Sequence, residues 1–265
     1  MSLRTAALAS LLALAVVAPA GPAAAGDDEE PTIEFFYSLV TRRPVVEREL
    51  EFRFNHEKSR EGRESEFSVA IEFPVLPRWQ VELEVPVIFT DPREGAGQIG
   101  VGDLEIETKY QVFRSLQPRV LVAVGAEGKL PTGAERRGLG GEAEIEAFVT
   151  AGFGAGPVEV LSEIAYEWNL NAHVHGQREE ELTAGAAVGW LLHPKFVPLV
   201  ELTTVTPTRG EDERDAPVGR PQIYVTPGIN LRPFPGTTLR MGVQLPITPA
   251  RQFDYAVRAG LVWEF

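Results

Sequence analysis

The chain ends on FDYAVRAGLVWEF, residues 253–265. Phe253, Tyr255, Val257, Ala259, Leu261, Trp263 and Phe265 alternate without a break with Asp254, Ala256, Arg258, Gly260, Val262 and Glu264. Period-two alternation marks a strand with two different faces. The same pattern runs backwards through the sequence. Leu239, Met241, Val243, Leu245 and Ile247 alternate with polar or small partners, as do Leu104, Ile106, Thr108, Tyr110 and Val112, and Trp79, Val81, Leu83, Val85 and Val87. Similar segments centre on Phe52, Val69, Val124, Ala147, Ile164, Ala186, Leu202 and Val225. The sum is about twelve strands of about ten residues, the length a tilted strand needs to cross hydrocarbon.

Composition narrows the classes that fit. The 265 residues carry 25 Lys+Arg against 38 Asp+Glu, a formal net charge of −13, and no cysteine. Such acidity argues against a nucleic-acid partner, which needs a basic patch. Disulfides, thiolate metal sites and Fe–S clusters are excluded. A mean hydropathy near zero excludes a polytopic helical membrane protein but not a membrane barrel, whose strands are only half apolar.

Residues 1–25 read as a signal peptide: Arg4, an apolar run from Ala6 to Ala18, then Pro19, Gly21, Pro22 and small residues up to Ala25. The run is too short to span a bilayer. Residues 26–44 are expected as a periplasmic N-terminal segment, although TIEFFYSLVTRRP (32–44) also suits the lumen or the membrane surface. Residues 45–265 are expected to form the barrel. Short connections at 74–78, 114–119, 154–157, 193–195 and 233–237 alternate with longer polar ones at 56–65, 91–102, 132–141, 169–180 and 206–221. Only 248–251 is short where a long one is expected. This is the layout of an up-and-down antiparallel transmembrane β-barrel with short periplasmic turns and longer external loops.

A soluble β-sandwich also alternates, so the aromatics matter. Trp79, Trp168, Trp190 and Trp263, with Phe67, Phe73, Phe153, Tyr166, Phe253 and Tyr255, fall on the apolar face near strand ends. A sandwich core wants its aromatics at strand centres, whereas a bilayer wants them at its interfaces. A final aromatic preceded by apolar residues at every second position resembles the C-terminal assembly signal of bacterial outer-membrane barrels. Trp263 and Phe265 are the expected signal, read by the barrel-assembly machinery. The expected surroundings are outer-membrane lipid and lipopolysaccharide.

Two further stretches carry a family resemblance: VGDLEIETKYQVF at 101–113 and GKLPTG at 128–133. Gly102-Asp103-Leu104, Lys109-Tyr110 and Leu130-Pro131-Thr132-Gly133 resemble the bacterial outer-membrane family called "MetA-pathway of phenol degradation", a group of transporter-like barrels. The resemblance implies a transporter-like barrel and supplies neither a solute nor a functional residue.

The face opposite the apolar one is rich in carboxylates. Glu82, Glu84, Asp103, Glu105, Glu107, Glu144, Glu146 and Glu163 are expected to line the lumen, opposed by Arg232, Arg240 and Arg258 from the last three strands. Unpaired charge is too costly to bury dry, so the acids either meet water or pair with bases. The expected function is a channel or transporter for small cationic, neutral or aromatic solutes, without cofactor. The alternatives are a closed structural barrel, a secreted binding sandwich or an outer-membrane hydrolase.

Other constellations read as loops. Gly95, Gly97 and Gly100 spell G-x-G-x-x-G, but a strand follows where a phosphate-binding helix is needed. Gly138, Gly140 and Gly141 lack a Lys-Ser/Thr. His173 and His175, with Glu179, Glu180 or Glu181, and the group Glu211, Asp212, Glu213 and Asp215 lack complete metal-ligand spacing and read as solvated loops. Ser68 and Ser162 have no histidine in their strands, and His56 and His193 are expected at opposite ends of the barrel.

Overall fold

The computed structural model describes residues 33–170, 180–210 and 217–265. The strands are β1 (Glu49–Lys58), β2 (Gly62–Leu76), β3 (Trp79–Pro92), β4 (Gln98–Val101), β5 (Leu104–Leu116), β6 (Arg119–Leu130) and β7 (Glu144–Ala155). They continue with β8 (Val158–Asn169), β9 (Glu180–Trp190), β10 (Phe196–Arg209), β11 (Gln222–Phe234), β12 (Thr237–Pro246) and β13 (Tyr255–Glu264). Strand β1 pairs with both β2 and β13, and β2 with β3, so the antiparallel sheet closes on itself. Among the described residues twelve strands form the closed barrel. The four-residue β4 is a side ribbon on β3, where β5 no longer reaches.

Alternation sorts the side chains as the sequence requires. On β3, Gln80, Glu82 and Glu84 are buried inward, while Trp79, Leu83 and Val85 are exposed outward. The outward face is apolar around the ring, with Val200, Leu202, Val149 and Ile164 among its exposed residues. Trp79, Trp190 and Trp263 are exposed beside the short turns, and Trp168 is exposed at the opposite, loop end. These positions are those of two aromatic belts.

Three expectations change. First, 56–65 and 206–221 are less loop than expected, because the ladders run on: Lys58 still pairs with Arg63, and β10 extends to Arg209. Above a membrane both faces of a strand are wet, so alternation fades while the backbone pairing persists. Conversely, the short connection expected at 248–251 runs from 247 to 254. Second, Phe253 is not on the outer face. It lies before β13, is buried, and stacks on Tyr224 at 4.6 Å. Third, the N-terminal segment expected in the periplasm is, from residue 33 onward, inside the barrel. Residues 1–32, including the expected signal peptide, lie outside the described residues. So do His173, His175, Glu179, Glu211, Asp212, Glu213 and Asp215.

The apolar core is therefore in the lumen. Ile33, Phe35, Phe36 and Val45 pack against Leu121, Leu161, Ala187, Val197 and Leu199, inward residues of β6, β8, β9 and β10. Gly152 makes room: a Cβ there would lie 2.7 Å from the ring of Phe35. The patch sits at the turn end, where the two ends of the barrel sequence also meet. There Glu49 pairs with Glu264, and the Phe265 N–H donates to Arg48 O at 3.2 Å.

Phe265 is exposed beside Trp263, with ring centroids 5.8 Å apart. A charge at the hydrocarbon midplane costs about 2–4 kcal/mol and less at the interface. Deleting Phe265, or replacing it with a charged residue, should therefore reduce the amount of barrel inserted far more than it lowers the unfolding temperature of barrels that insert. Outer-membrane fractionation combined with heat-modifiable gel mobility checks this, and normal insertion of the deletion would count against the assembly reading.

Candidate functional site

The inward glutamates fall into one continuous row. Glu264 pairs across the ladder with Glu49, Glu49 with Glu72, Glu72 with Glu82, and Glu82 with Glu107. The row continues from Glu107 to Glu127, Glu146, Glu167 and Glu181. Each comes from a different strand. Glu264 and Glu49 stand at the turn end and Glu167 and Glu181 at the loop end, so the row climbs the wall from one mouth to the other. A shorter parallel row holds Glu84, Glu105, Lys129 and Glu144. Like charges directly opposite one another are destabilising, so such a wall needs cations.

The N-terminal segment brings two of them. Arg42 donates from Nε to Glu107 at 2.9 Å and from Nη1 to Glu163 at 2.5 Å. Its Nη2 meets Glu127 at 2.6 Å and Glu146 at 2.7 Å. The guanidinium also lies over the Phe148 ring, 4.6 Å from its centroid. One residue on, Arg43 pairs with Glu47 at 3.0 Å and covers the Tyr37 ring at 3.7 Å. The Tyr37 hydroxyl lies within hydrogen-bond distance of Glu49, at 2.9 Å, and of Glu264, at 2.7 Å, with one proton to share between them. On the wall itself, Arg53 bonds Glu51 at 2.8 Å, Glu82 at 2.9 Å, and Glu84. Lys109 sits 3.8 Å from Glu107.

The segment's backbone is bonded as thoroughly as its side chains. Glu201 accepts from the N–H groups of Leu39, Val40 (3.2 Å) and Thr41 (2.9 Å). Glu159 accepts from Phe36 N–H at 2.8 Å. The Asn230 side chain pairs with Tyr37 N–H and C=O, both at 2.8 Å. Gln111 donates to Pro44 O at 3.0 Å, and Gln80 accepts from Glu47 N–H at 2.8 Å. A buried non-repetitive backbone needs such partners, and this lumen supplies them from most of its wall.

Among the described residues, the space left over includes three cavities. One of about 350 Å³ lies inside, bordered by Arg42, Glu84, Glu105, Glu127 and Arg258. One of about 570 Å³ opens at the turn end between Glu34, Lys195, Arg232, Phe234 and Glu264. One of about 420 Å³ opens at the loop end between Glu64, Glu66, Asp103, Glu105 and Lys129. Glu66 and Glu105 border both the inner and the loop-end cavity.

The residues expected in the lumen separate into groups. Glu82 and Glu84 gather on Arg53, and Glu107, Glu146 and Glu163 on Arg42. Glu144 pairs with Lys129 at 3.2 Å. Glu105 borders cavity on two sides. Arg240 reaches Glu51 and Ser38 O, and Arg258 reaches Glu57 at 2.6 Å. The expected basic wall is thus largely compensated across the β13–β1 seam, and Arg232 lies apart at the turn-end mouth. Sequence reasoning missed Arg42, Arg43 and Tyr37 as lumenal groups. It also missed one contact between side chains on adjacent strands: His56 Nδ1 and Ser65 Oγ lie 2.8 Å apart near the loop-end rim. Among the described residues, no carboxylate is seen bonded to that ring. His193 lies at the opposite end, in the β9–β10 turn.

Asp103 is better described as a clasp than as a wall residue. Its carboxylate accepts from the N–H groups of Gly133 (2.7 Å), Gly141 (2.8 Å) and Glu142 (3.0 Å). Thr132 Oγ1 accepts from Leu104 N–H at 2.9 Å. The two stretches singled out by their family resemblance therefore meet in space and tie the β6–β7 loop to the start of β5. Gly140, at φ +136°, allows the loop to close on Asp103; a Cβ there would sit 2.8 Å from the carboxylate.

No family model matches the sequence, and no curated protein matches it. Solved structures do resemble the fold. An outer membrane channel from Pseudomonas putida F1 superposes with a TM-score of 0.65, at 12% identity, over 88% of this chain and 100% of its own. The NanC porin does so with a TM-score of 0.60 at 12% identity, over 82% of this chain and 100% of its own. The KdgM porin gives 0.54 at 10% identity, over 82% and 99%. The chain has the fold of outer-membrane β-barrels.

The clasp generates a pH prediction. Burial pushes the Asp103 carboxyl up, but the N–H groups of Gly141, Gly133 and Glu142, with Lys129 adding its charge, hold it below the ordinary value. A lowered folded value means that the stabilisation is complete above the unfolded value, about 4. It is then lost as pH falls through the folded value. Hydrogen exchange of Gly133, Gly141 and Glu142 should accelerate in that acid window beyond its intrinsic pH dependence. Asp103→Asn should expose these amides already at neutral pH, lowering the local opening free energy by about 1.5–3 kcal/mol. Unchanged protection in D103N would refute the clasp.

Proposed function

We propose that the protein is an outer-membrane channel for small cationic or neutral solutes, closed at rest by its own residues 33–47. The observation that carries this reading is the glutamate row, which climbs the wall from one mouth to the other. Acidic walls of low dielectric favour cations and reject anions. The same row explains the plug: Arg42 and Arg43 occupy positions along it that a passing cation would use. The exposed apolar belt and the aromatics at both rims support residence in the outer membrane, among its lipids and lipopolysaccharide. The C-terminal strand supports insertion by the assembly machinery. The family resemblance of residues 101–133 points to the same class of transporter-like barrel.

A second reading is a barrel closed for structural reasons. It is favoured by one observation, the number of strands bonded to the segment. Planar-bilayer recordings separate the two. The full chain should give small, infrequent openings whose reversal potential in a KCl gradient has cation sign. Arg42→Gln should raise the open probability at least about tenfold, because removing one partner of a buried ion cluster costs about 3–5 kcal/mol. Glu105→Gln with Glu107→Gln should weaken the cation preference. Silence of both the full chain and R42Q, with vesicle swelling also absent, would establish the structural reading. Anion selectivity would refute the charge argument.

A further inference from the structure

We infer that the cage around Arg42 is a guanidinium site, and that guanidinium-bearing solutes are the cations the lumen binds when the N-terminal segment withdraws. The inference rests on the channel reading and narrows its solute class. Its basis is the occupant already seated. Every nitrogen of the Arg42 guanidinium is within 2.9 Å of a carboxylate oxygen: Nε of Glu107, Nη1 of Glu163, and Nη2 of Glu127 and Glu146. These carboxylates come from β5, β8, β6 and β7, so they converge from separate strands. Phe148 supplies an aromatic face at 4.6 Å.

That face is built in. A Cβ at Gly125 would lie 2.8 Å from Phe148 Cε2 and 2.5 Å from Thr108 O, so only glycine leaves the ring its place. A planar cation with donors along its whole edge suits this arrangement. A guanidinium bonds several carboxylates in one plane and stacks on an aromatic, whereas an ammonium is a compact, strongly hydrated point charge. An inorganic cation is drawn to the Phe148 face as well, but it has no planar set of donors to distribute among the four carboxylates. The cage also has an approach, because Arg42, Glu107 and Glu127 border the inner cavity of about 350 Å³. Glu105 and Glu66 connect that cavity's lining to the loop-end mouth. Arg42 is thus a tethered stand-in for solute: the plug closes the lumen by filling its binding site with a group of the solute's kind.

Chemical rescue tests this without needing conduction. Full-chain Arg42→Ala, checked for folding by heat-modifiable mobility, is titrated with methylguanidinium, with agmatine, and with tetramethylammonium or sodium at matched ionic strength. All are kept far below denaturing concentrations. Methylguanidinium and agmatine should raise the unfolding temperature of R42A saturably. Their apparent affinity should exceed that of tetramethylammonium at least about tenfold. Wild type, with its cage full, should show no saturable shift. Adding Phe148→Leu should weaken the guanidinium affinity about threefold to tenfold. If R42A does not fold, Arg42→Lys serves instead, with hydrogen exchange of residues 39–43 as the readout. Agmatine should then displace the segment and speed exchange, and sodium should not. Equal responses to guanidinium and tetramethylammonium, or none, would overturn the inference. A protein that conducts cations without rescue loses this site but keeps the channel reading; one that is rescued yet silent loses the channel and keeps the site.

Discussion

The structure depends on how a barrel tolerates a row of glutamates placed directly opposite one another across its ladders. Antiparallel registry leaves no freedom here: once Glu72 faces Glu82, and Glu107 faces Glu127, the carboxylates share one side of the sheet at cross-strand distance. Desolvated like charges would force the wall apart or to protonate. Cations are supplied from two sources. Arg53 and Lys109 belong to the wall, while Arg42 and Arg43 are delivered by a segment that is no part of the sheet. The segment lodged in the lumen and the continuous acidic row are thus one electrostatic solution seen from two sides.

The segment is held by two different kinds of force, spatially separated. Near the turn end Phe35 and Phe36 are fully buried against inward Leu, Val and Ala residues; each such ring is worth about 1.5–3 kcal/mol of burial. Farther along, from Leu39 to Arg43, the bonds go almost wholly to carboxylates. One side chain, Glu201, binds three successive backbone N–H groups and so fixes the chain direction just before the two arginines.

Much of the fold was legible because the bilayer imposes one rule on every strand. Alternation gave the strands, loop lengths gave the up-and-down order, and the tryptophans gave the rims. Strand ends above the membrane were not legible, since His56 to Ser65 loses its two-faced character where water touches both sides. The inward parity of Glu82, Glu84, Glu107 and Glu163 was legible, but the row they join was not, because register is a property of strand pairs rather than of one strand. The place of residues 33–44 was left open for a related reason: TIEFFYSLVTRRP has no period to read. One signal did point to it. Leu121, Leu161, Ala187 and Leu199 are apolar residues on the inward parity of their strands. An apolar patch inside an otherwise polar wall needs an apolar cover, and Phe35-Phe36 was the unassigned aromatic pair in the chain.

The separation of forces bears on how such a plug moves. Ionic contacts weaken when water and salt enter, whereas apolar burial is not screened by salt and is driven by water itself. Hydration spreading from the loop-end cavity reaches Glu66 and Glu105 first, and through the inner cavity that these two also border it reaches Glu127 and Arg42. Phe35 and Phe36 lie at the far end, beside the β9–β10 and β7–β8 turns. Release would therefore proceed from the arginines toward the aromatics, with the segment remaining anchored at the turn end. An opening of that kind uncovers the upper glutamates while keeping the displaced arginines tethered close by. Reclosure is then an intramolecular step, governed by the effective concentration of the tether rather than by a search from solution. The same tether sets the concentration a free cation must exceed to hold the cage against Arg42.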